Sequence, residues 1–223
     1  MTPEVVHLDN HLLVVVKPAG MLSQEDSTGD VDVVSWAKGY LKERFNKPGN
    51  VFVGLVHRLD RPASGLMVLA RTSKAAGRLA EAFKARRVEK RYLALVEGFP
   101  SDSGRAEDHL LKEKRGVKVV KPGRTGAKRA VLTWRLLGAM RGQALVEVEL
   151  ETGRAHQIRA QLAHRGFPLV GDLRYGAKQE FDGRNLALHA YQLGLEHPVR
   201  REPVAWTSPP DRRWPDWARG LVS

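Results

Sequence analysis

Ala144-Leu145-Val146-Glu147-Val148-Glu149-Leu150-Glu151 is the stretch that decides the fold class. Val146, Val148 and Leu150 alternate with Glu147, Glu149 and Glu151. Successive side chains of a strand point to opposite faces, so this period of two predicts a strand with one wet face. Short β-like runs recur around it: Leu12–Val16, Val51–Val56, Leu66–Ala70, Arg91–Glu97, Ala130–Leu137, Leu186–Leu195 and Pro203–Thr207. Helical patterns sit between them. Thr72 or Ser73 can cap a helix whose apolar stripe is Ala76, Leu79, Ala80 and Phe83. Asp30 can cap another carrying Val34, Ala37, Leu41 and Phe45. A third is expected from about Ala155 to His164, with Ile158 and Leu162 inward, ending before Gly166 and Pro168. Many strands with few helices predict an α+β fold with a mixed, mostly antiparallel sheet.

The chain of 223 residues is 42% hydrophobic and 28% charged, the composition of an ordered globular protein with one substantial core. We therefore expect residues 1–223 to form a single domain. With 37 Lys and Arg against 25 Asp and Glu the net charge is +12, which attracts polyanions, nucleic acid above all. The absence of cysteine excludes disulfides, thiolate nucleophiles and Cys-ligated metals. Residues 1–10 lack a signal-peptide core, and Leu12–Val16 is far too short to span a bilayer, so a cytoplasmic protein without membrane association is expected. His7 and His11 have helical spacing but no zinc-motif context, and no phosphate-cradling glycine motif occurs, so neither a metal nor a cofactor is expected.

Residues 105–129 hold nine Lys/Arg against three Asp/Glu, with Gly116, Gly123 and Gly126. This segment is expected to be a mobile basic hairpin or loop: a solvated surface, or an arm whose Lys112, Lys114, Lys118 and Lys121 contact phosphates. The tail, residues 208–223, is rich in Pro, Arg and Trp, and Trp214 and Trp217 are expected to pack back onto the body.

Three clusters carry candidate chemistry. The first, His57-Arg58-Leu59-Asp60-Arg61-Pro62-Ala63-Ser64-Gly65, is a tight loop between β-like runs. Asp60 stands between Arg58 and Arg61, and a nearby cation favours an ionised carboxylate, as a nucleophile requires. A structural Asp–Arg pair has the same pattern. The second, Thr152-Gly153-Arg154-Ala155-His156-Gln157-Ile158-Arg159, follows a strand and opens a helix. Arg154 in the first turn would hold a carboxylate or phosphate, although ordinary capping and a solvated face fit equally well. The third, Lys90-Arg91-Tyr92-Leu93-Ala94-Leu95-Val96-Glu97-Gly98, sets Tyr92 on one face with Ala94 and Val96, suited to stacking on a base or to a place in the core.

Together and in order, the clusters resemble the RluA-type RNA pseudouridine synthases. The resemblance runs from about residue 5 to about residue 210. It rests also on Lys17-Pro18-Ala19-Gly20, Arg71-Thr72-Ser73-Lys74, Gly171-Asp172-Leu173-Arg174-Tyr175-Gly176 and Leu188-His189-Ala190. It implies an α+β fold around a bent, mostly antiparallel central sheet with a few flanking helices and a cleft for RNA. Asp60 would be the catalytic aspartate, Arg154 its arginine partner, and Tyr92 the tyrosine that packs on the target base and moves its C5 proton. Arg58 would fill the gap left by a flipped nucleotide. His57, Arg61, His156, Gln157 and Arg159 would join the RNA contacts. Ala63 and Ala155 stand where the family often has Thr. Some relatives carry an S4-like domain in front, which is not expected here.

The implied reaction breaks N1–C1′, turns the uracil and joins C5 to C1′. Nothing is oxidised and no group is imported, so no cofactor is required. The substrate would be ribosomal or transfer RNA, and no obligate protein partner is evident; a monomer is expected. The target must leave the stack, at a cost of about a few kcal/mol. Two other readings are a non-catalytic RNA-binding protein and a small-molecule glycosidase. The second needs a partner acid about 5–5.5 Å from the nucleophile, and no such acid is evident in the matched motifs.

Overall fold

The computed structural model describes residues 2–114, 116–183 and 185–222. In chain order the elements are β1 (Glu4–Leu8), β2 (Leu12–Lys17), α1 (Val33–Arg44), β3 (Gly54–Leu55), β4 (Ser64–Ala70) and α2 (Ser73–Lys84). They continue with β5 (Glu89–Glu97), β6 (Ser103–Glu113), β7 (Gly116–Val120), β8 (Lys128–Met140), β9 (Gln143–Leu150) and α3 (Gln157–His164). A 3-10 turn (Leu173–Tyr175), β10 (Leu188–Glu196), β11 (Pro203–Thr207) and α4 (Asp216–Arg219) complete the described chain. The class is α+β with mostly antiparallel strand pairing, as expected. The chain divides into two compact units, Met1–Glu89 with Gln192–Ser208, and Lys90–Tyr191 with Pro209–Ser223.

In the first unit β1, β2 and β4 pair antiparallel, with Leu13 opposite Leu69 and Lys17 opposite Gly65. Every residue of β4 is buried. Leu66, Val68 and Ala70 share a core with Ala75 and Leu79 of α2 and with Leu193 and Leu195. Thr72 caps α2 by accepting a hydrogen bond from the Ala75 amide at 3.2 Å, as its position before the apolar stripe predicts. The cap of α1 is Asp32, not Asp30. Its Oδ1 accepts from the Val34 and Ser35 amides at 2.8 and 3.1 Å. Starting there turns Val33, Ala37 and Leu41 inward together. His7 lies on β1 rather than on a helix, and its Nε2 is 3.1 Å from Asp9 Oδ2.

In the second unit the strand order is β5-β9-β8-β6-β7, each neighbour antiparallel. β9 behaves as its alternation predicts: Ala144, Val146 and Val148 are buried, and Glu149 is exposed. Glu147 on the wetter face meets Arg91 and Arg135 from the flanking strands at 3.7 and 3.3 Å. The tail packs back as expected: Trp214 and Ala218 lie in the core with Leu93, Leu95 and Leu145, and Trp217 rests against it.

Of the two forms expected for residues 105–129, hairpin or loop, the hairpin is the one that forms. These residues build most of β6, all of β7 and the start of β8, and β6–β7 form a hairpin with His109 opposite Val120. The physical reason is a second alternation hidden among the lysines. Leu110, Val117 and Val119 turn to one side and pack with Ala130 and with Ala160 of α3, which leaves Lys118, between the two valines, on the other side. β1 is also additional to the expected strands, and Val51–Val56 shortens to β3. The chain thus enters its first strand at Glu4.

Candidate active site

The Asp60 loop lies in the first unit, between β3 and β4, and its backbone is pinned along its length. Ser23 Oγ donates to the Leu59 carbonyl at 2.8 Å and accepts from the Leu59 amide at 3.1 Å. The Gly20 amide donates to the Arg61 carbonyl at 2.8 Å, and the Ala63 amide closes a turn on the Asp60 carbonyl at 3.0 Å. His57 accepts the Val68 amide at Nε2, 3.0 Å away, and stacks on Phe83 with ring centres 4.7 Å apart. Asp60 itself is half-buried, at the end of a segment that cannot easily shift.

Lys17, at the end of β2, is the residue that sequence reasoning missed as part of this site. It is fully buried, and its ammonium donates to the carbonyls of Met21, Pro18 and Arg61 at 2.8, 3.0 and 3.1 Å. Three carbonyls satisfy its three donors. Burial pushes the Lys17 ammonium down to about 7, against the opposing pull of the Asp60 charge and with a smaller push from Arg61. The Asp60 charge thus acts on the Lys17 ammonium. Arg61, expected as a cation for Asp60, instead pairs with Asp30 at 2.5 Å and donates through Nε to the Gly20 carbonyl at 3.0 Å.

The lowered ammonium carries a stability prediction. The folded state releases the Lys17 proton near pH 7 and the unfolded chain near 10.5. Between those values the unfolded state binds more protons, so the contribution of this residue to stability rises with pH. Urea unfolding at pH 7, 8 and 9 should show wild type gaining on Lys17→Met, with a slope approaching about 1.4 kcal/mol per pH unit. Parallel pH profiles for the two proteins would contradict it.

The second unit holds Tyr92 and Arg154. Tyr92 is buried on β5, opposite Val148 of β9. Arg154 lies beyond the end of β9, ahead of α3 rather than in its first turn, because His156 adopts a left-handed conformation (φ 50°) and delays the helix to Gln157. Gln157 knots this loop. Its Oε1 accepts from the Thr152 hydroxyl at 2.7 Å and from the Arg154 amide at 3.0 Å, while Nε2 donates to the Val131 carbonyl at 3.0 Å. The Arg154 side chain is fixed by Nε donating to the Arg129 carbonyl at 3.1 Å.

Three of the residues expected to face RNA are turned inward. Gln157 and Arg159 are buried; Arg159 grips Asp172 with two bonds of 2.6 and 2.9 Å. His57 is engaged with Val68 and Phe83. These polar side chains organise the loops, a role that residue type alone does not distinguish from solvent exposure. Arg58 and Arg61 are exposed, as are Lys112, Lys114, Lys118 and Lys121 along the β6–β7 hairpin and just beyond it. Arg105 and Arg129 are tied into ion pairs with Glu107 and Glu151. Hydrogen bonds from Arg129 and Arg105 hold the Glu107 carboxyl at about 2. No helix among the described residues is long and apolar enough to cross a membrane.

Residues 11–164 match the RNA pseudouridylate synthase family, a span that takes in Lys17, Asp60, Tyr92 and Arg154. The ribosomal large subunit pseudouridine synthase D of Zymomonas mobilis is 35% identical over 90% of this chain and 67% of its own length. The tRNA pseudouridine synthase C of Salmonella typhimurium is 33% identical over 95% of this chain and 86% of its own. The solved structure of human RNA pseudouridylate synthase domain containing 4 superposes with a TM-score of 0.78 at 25% identity, covering 98% of this chain and 91% of that one. Against several of the synthase D proteins the chain spans about two thirds of their length. The chain belongs to the RNA pseudouridylate synthase family.

Proposed function

We propose that this protein isomerises uridine to pseudouridine in structured RNA, ribosomal or transfer, with Asp60 as the reacting carboxylate. The observation that carries the reading is the family match across the pinned loop of Asp60, together with the side-chain bonds that lock that loop. A nucleophile or base that must meet one sugar carbon gains from a backbone that is already in place. Tyr92 is the residue for the base face and the C5 proton, and Arg154 the partner of the carboxylate. Arg58, exposed beside Asp60, fills the stack that the flipped nucleotide vacates. The N1–C1′ bond breaks and C5 joins C1′; C5 gives up its proton to solvent and the freed N1 takes one up, so the product is an isomer of the substrate. We read the whole chain as one catalytic domain that acts as a monomer in the cytoplasm. Of the two relatives, one is named for the large ribosomal subunit and the other for tRNA, and both substrate classes are structured RNA.

Tritium release from RNA containing 5-tritiated uridine tests the activity directly: turnover without added cofactor is expected, and none on any structured RNA would refute the reading. The exposed lysines supply a separate test. Replacing Lys112, Lys114, Lys118 and Lys121 with Ala should weaken RNA binding and flatten its dependence on salt, by about 0.7–0.9 in the slope of log K for each phosphate no longer neutralised. An unchanged slope removes the hairpin from the RNA interface.

A further inference from the structure

The Tyr175 hydroxyl lies between the basic hairpin and the loop of Arg154. It accepts from the Val117 amide at 2.9 Å and lies 2.9 Å from His156 Nδ1. Val117 is the second residue of β7 and neighbours Lys118. His156 heads α3, two residues beyond Arg154, and its left-handed backbone is strained for an L residue. Contacts must hold such a residue in place, and Tyr175 supplies one with its hydroxyl and another with its ring, edge-on at 5.8 Å. The other side of the ring is braced. The Arg159 guanidinium lies 5.1 Å from its centre, and Arg159 is fixed by Asp172. Gly116 gives the hydroxyl room: a Cβ there would stand 3.0 Å from it, on a backbone with φ +118°.

We infer that Tyr175 is a positioning residue for RNA, whose hydroxyl couples the lysine-bearing β6–β7 hairpin to the loop that carries Arg154. This rests on the proposed function. The ring accounts for the apolar packing, against Leu110, Ala130 and Ala160; the hydroxyl contributes nothing to that. What the hydroxyl does is fix the spacing between a phosphate-binding strand pair and a loop of the reaction site. An RNA held by both elements is bound with its backbone in register with the chemistry, and it loses that register when the joint is cut.

Tyr175→Phe keeps the ring and removes the joint. The expected result is a rise of about tenfold in KM for structured RNA, the scale of one ordering hydrogen bond, with kcat within about twofold. The Val117 amide should exchange faster with solvent. The effect of Lys118→Ala on KM should shrink in the Tyr175→Phe background, because a hairpin that is no longer held contributes less. His156→Gly tolerates the left-handed backbone, removes the imidazole, and should reproduce the rise in KM; it also covers the case in which Tyr175→Phe fails to fold. An unchanged KM in the variants, or KM effects of Tyr175→Phe and Lys118→Ala that simply multiply, overturns the inference. Wild type run alongside separates the two failures: no tritium release by wild type refutes the proposed function, whereas an active wild type with an indifferent Tyr175→Phe refutes only the coupling.

Discussion

Asp60→Asn is expected to abolish pseudouridine formation, by about four orders of magnitude or more in kcat, while leaving a folded protein that still binds RNA. The size follows from the behaviour of reacting groups that work as a unit with their neighbours, where removing the nucleophile removes nearly all of the chemical step. Intact folding follows from how the loop is held. Ser23, Lys17 and Gly20 reach backbone atoms of Leu59 and Arg61, and an Asn at position 60 leaves those atoms where they are. The substitution removes one negative charge that Lys17 feels, so the Lys17 ammonium should titrate below its value of about 7 in the variant. Tritium release measures the first effect, and fluorescence anisotropy on the same RNA measures binding. Near-normal turnover in Asp60→Asn would end the proposed mechanism. A loss of activity accompanied by unfolding would point instead to a structural carboxylate, the reading that competes on spacing alone.

How much of this was legible before the structure depended on whether a residue's role lies in local pattern or in contacts made across the chain. The period of two in β9 and the cap of α2 are local, and both elements form; of the α2 stripe Ala76, Leu79 and Phe83 turn inward as read, while Ala80 is exposed and Ala75 is buried in its stead. The alternation Val117-Lys118-Val119 is local too, but the lysines around it hide it in any count of charge, and Leu110 joins it only across the hairpin, opposite Val119. Lys17 is the opposite case. Its segment, Lys17-Pro18-Ala19-Gly20, is one of the matched motifs, but nothing in it tells a buried lysine from a surface one. Its significance comes from three carbonyls, one of them 44 residues away, and from complete burial. Arg61 was an attractive cation for Asp60 because it is adjacent, yet adjacent side chains in a tight turn diverge, and Asp30 captures it. Gln157 and Arg159 read as solvent-facing because polar residues usually are. A signal was available: Arg159 and Asp172 are opposite charges in two separate matched motifs, a pattern that suits a buried pair as well as it suits a ligand site. The left-handed His156 carried no such signal, since only its backbone angles reveal why α3 starts two residues late.

Arg159→Ala is expected to cost about 3–5 kcal/mol of stability. Both partners of the pair are almost wholly out of water, with side-chain exposures of 6% for Arg159 and 2% for Asp172, and they meet in two bonds. Deleting the guanidinium leaves a carboxylate with neither solvent nor counter-charge, and this uncompensated charge carries the penalty, more than the attraction that disappears. In a chain of 223 residues such a destabilisation lowers the melting temperature by about 6–20 °C. The same reasoning fixes the sign of a second experiment. Arg159→Met combined with Asp172→Leu removes both charges and returns apolar volume, and should recover most of the stability. It should not recover RNA affinity fully, because the Tyr175 ring then lacks the guanidinium that braces it. If Arg159→Ala alone unfolds within about 1 kcal/mol of wild type, the pair is not the strut that holds Tyr175 and α3. If the double substitution is as unstable as the single one, the cost lies in poorer packing and not in stranded charge.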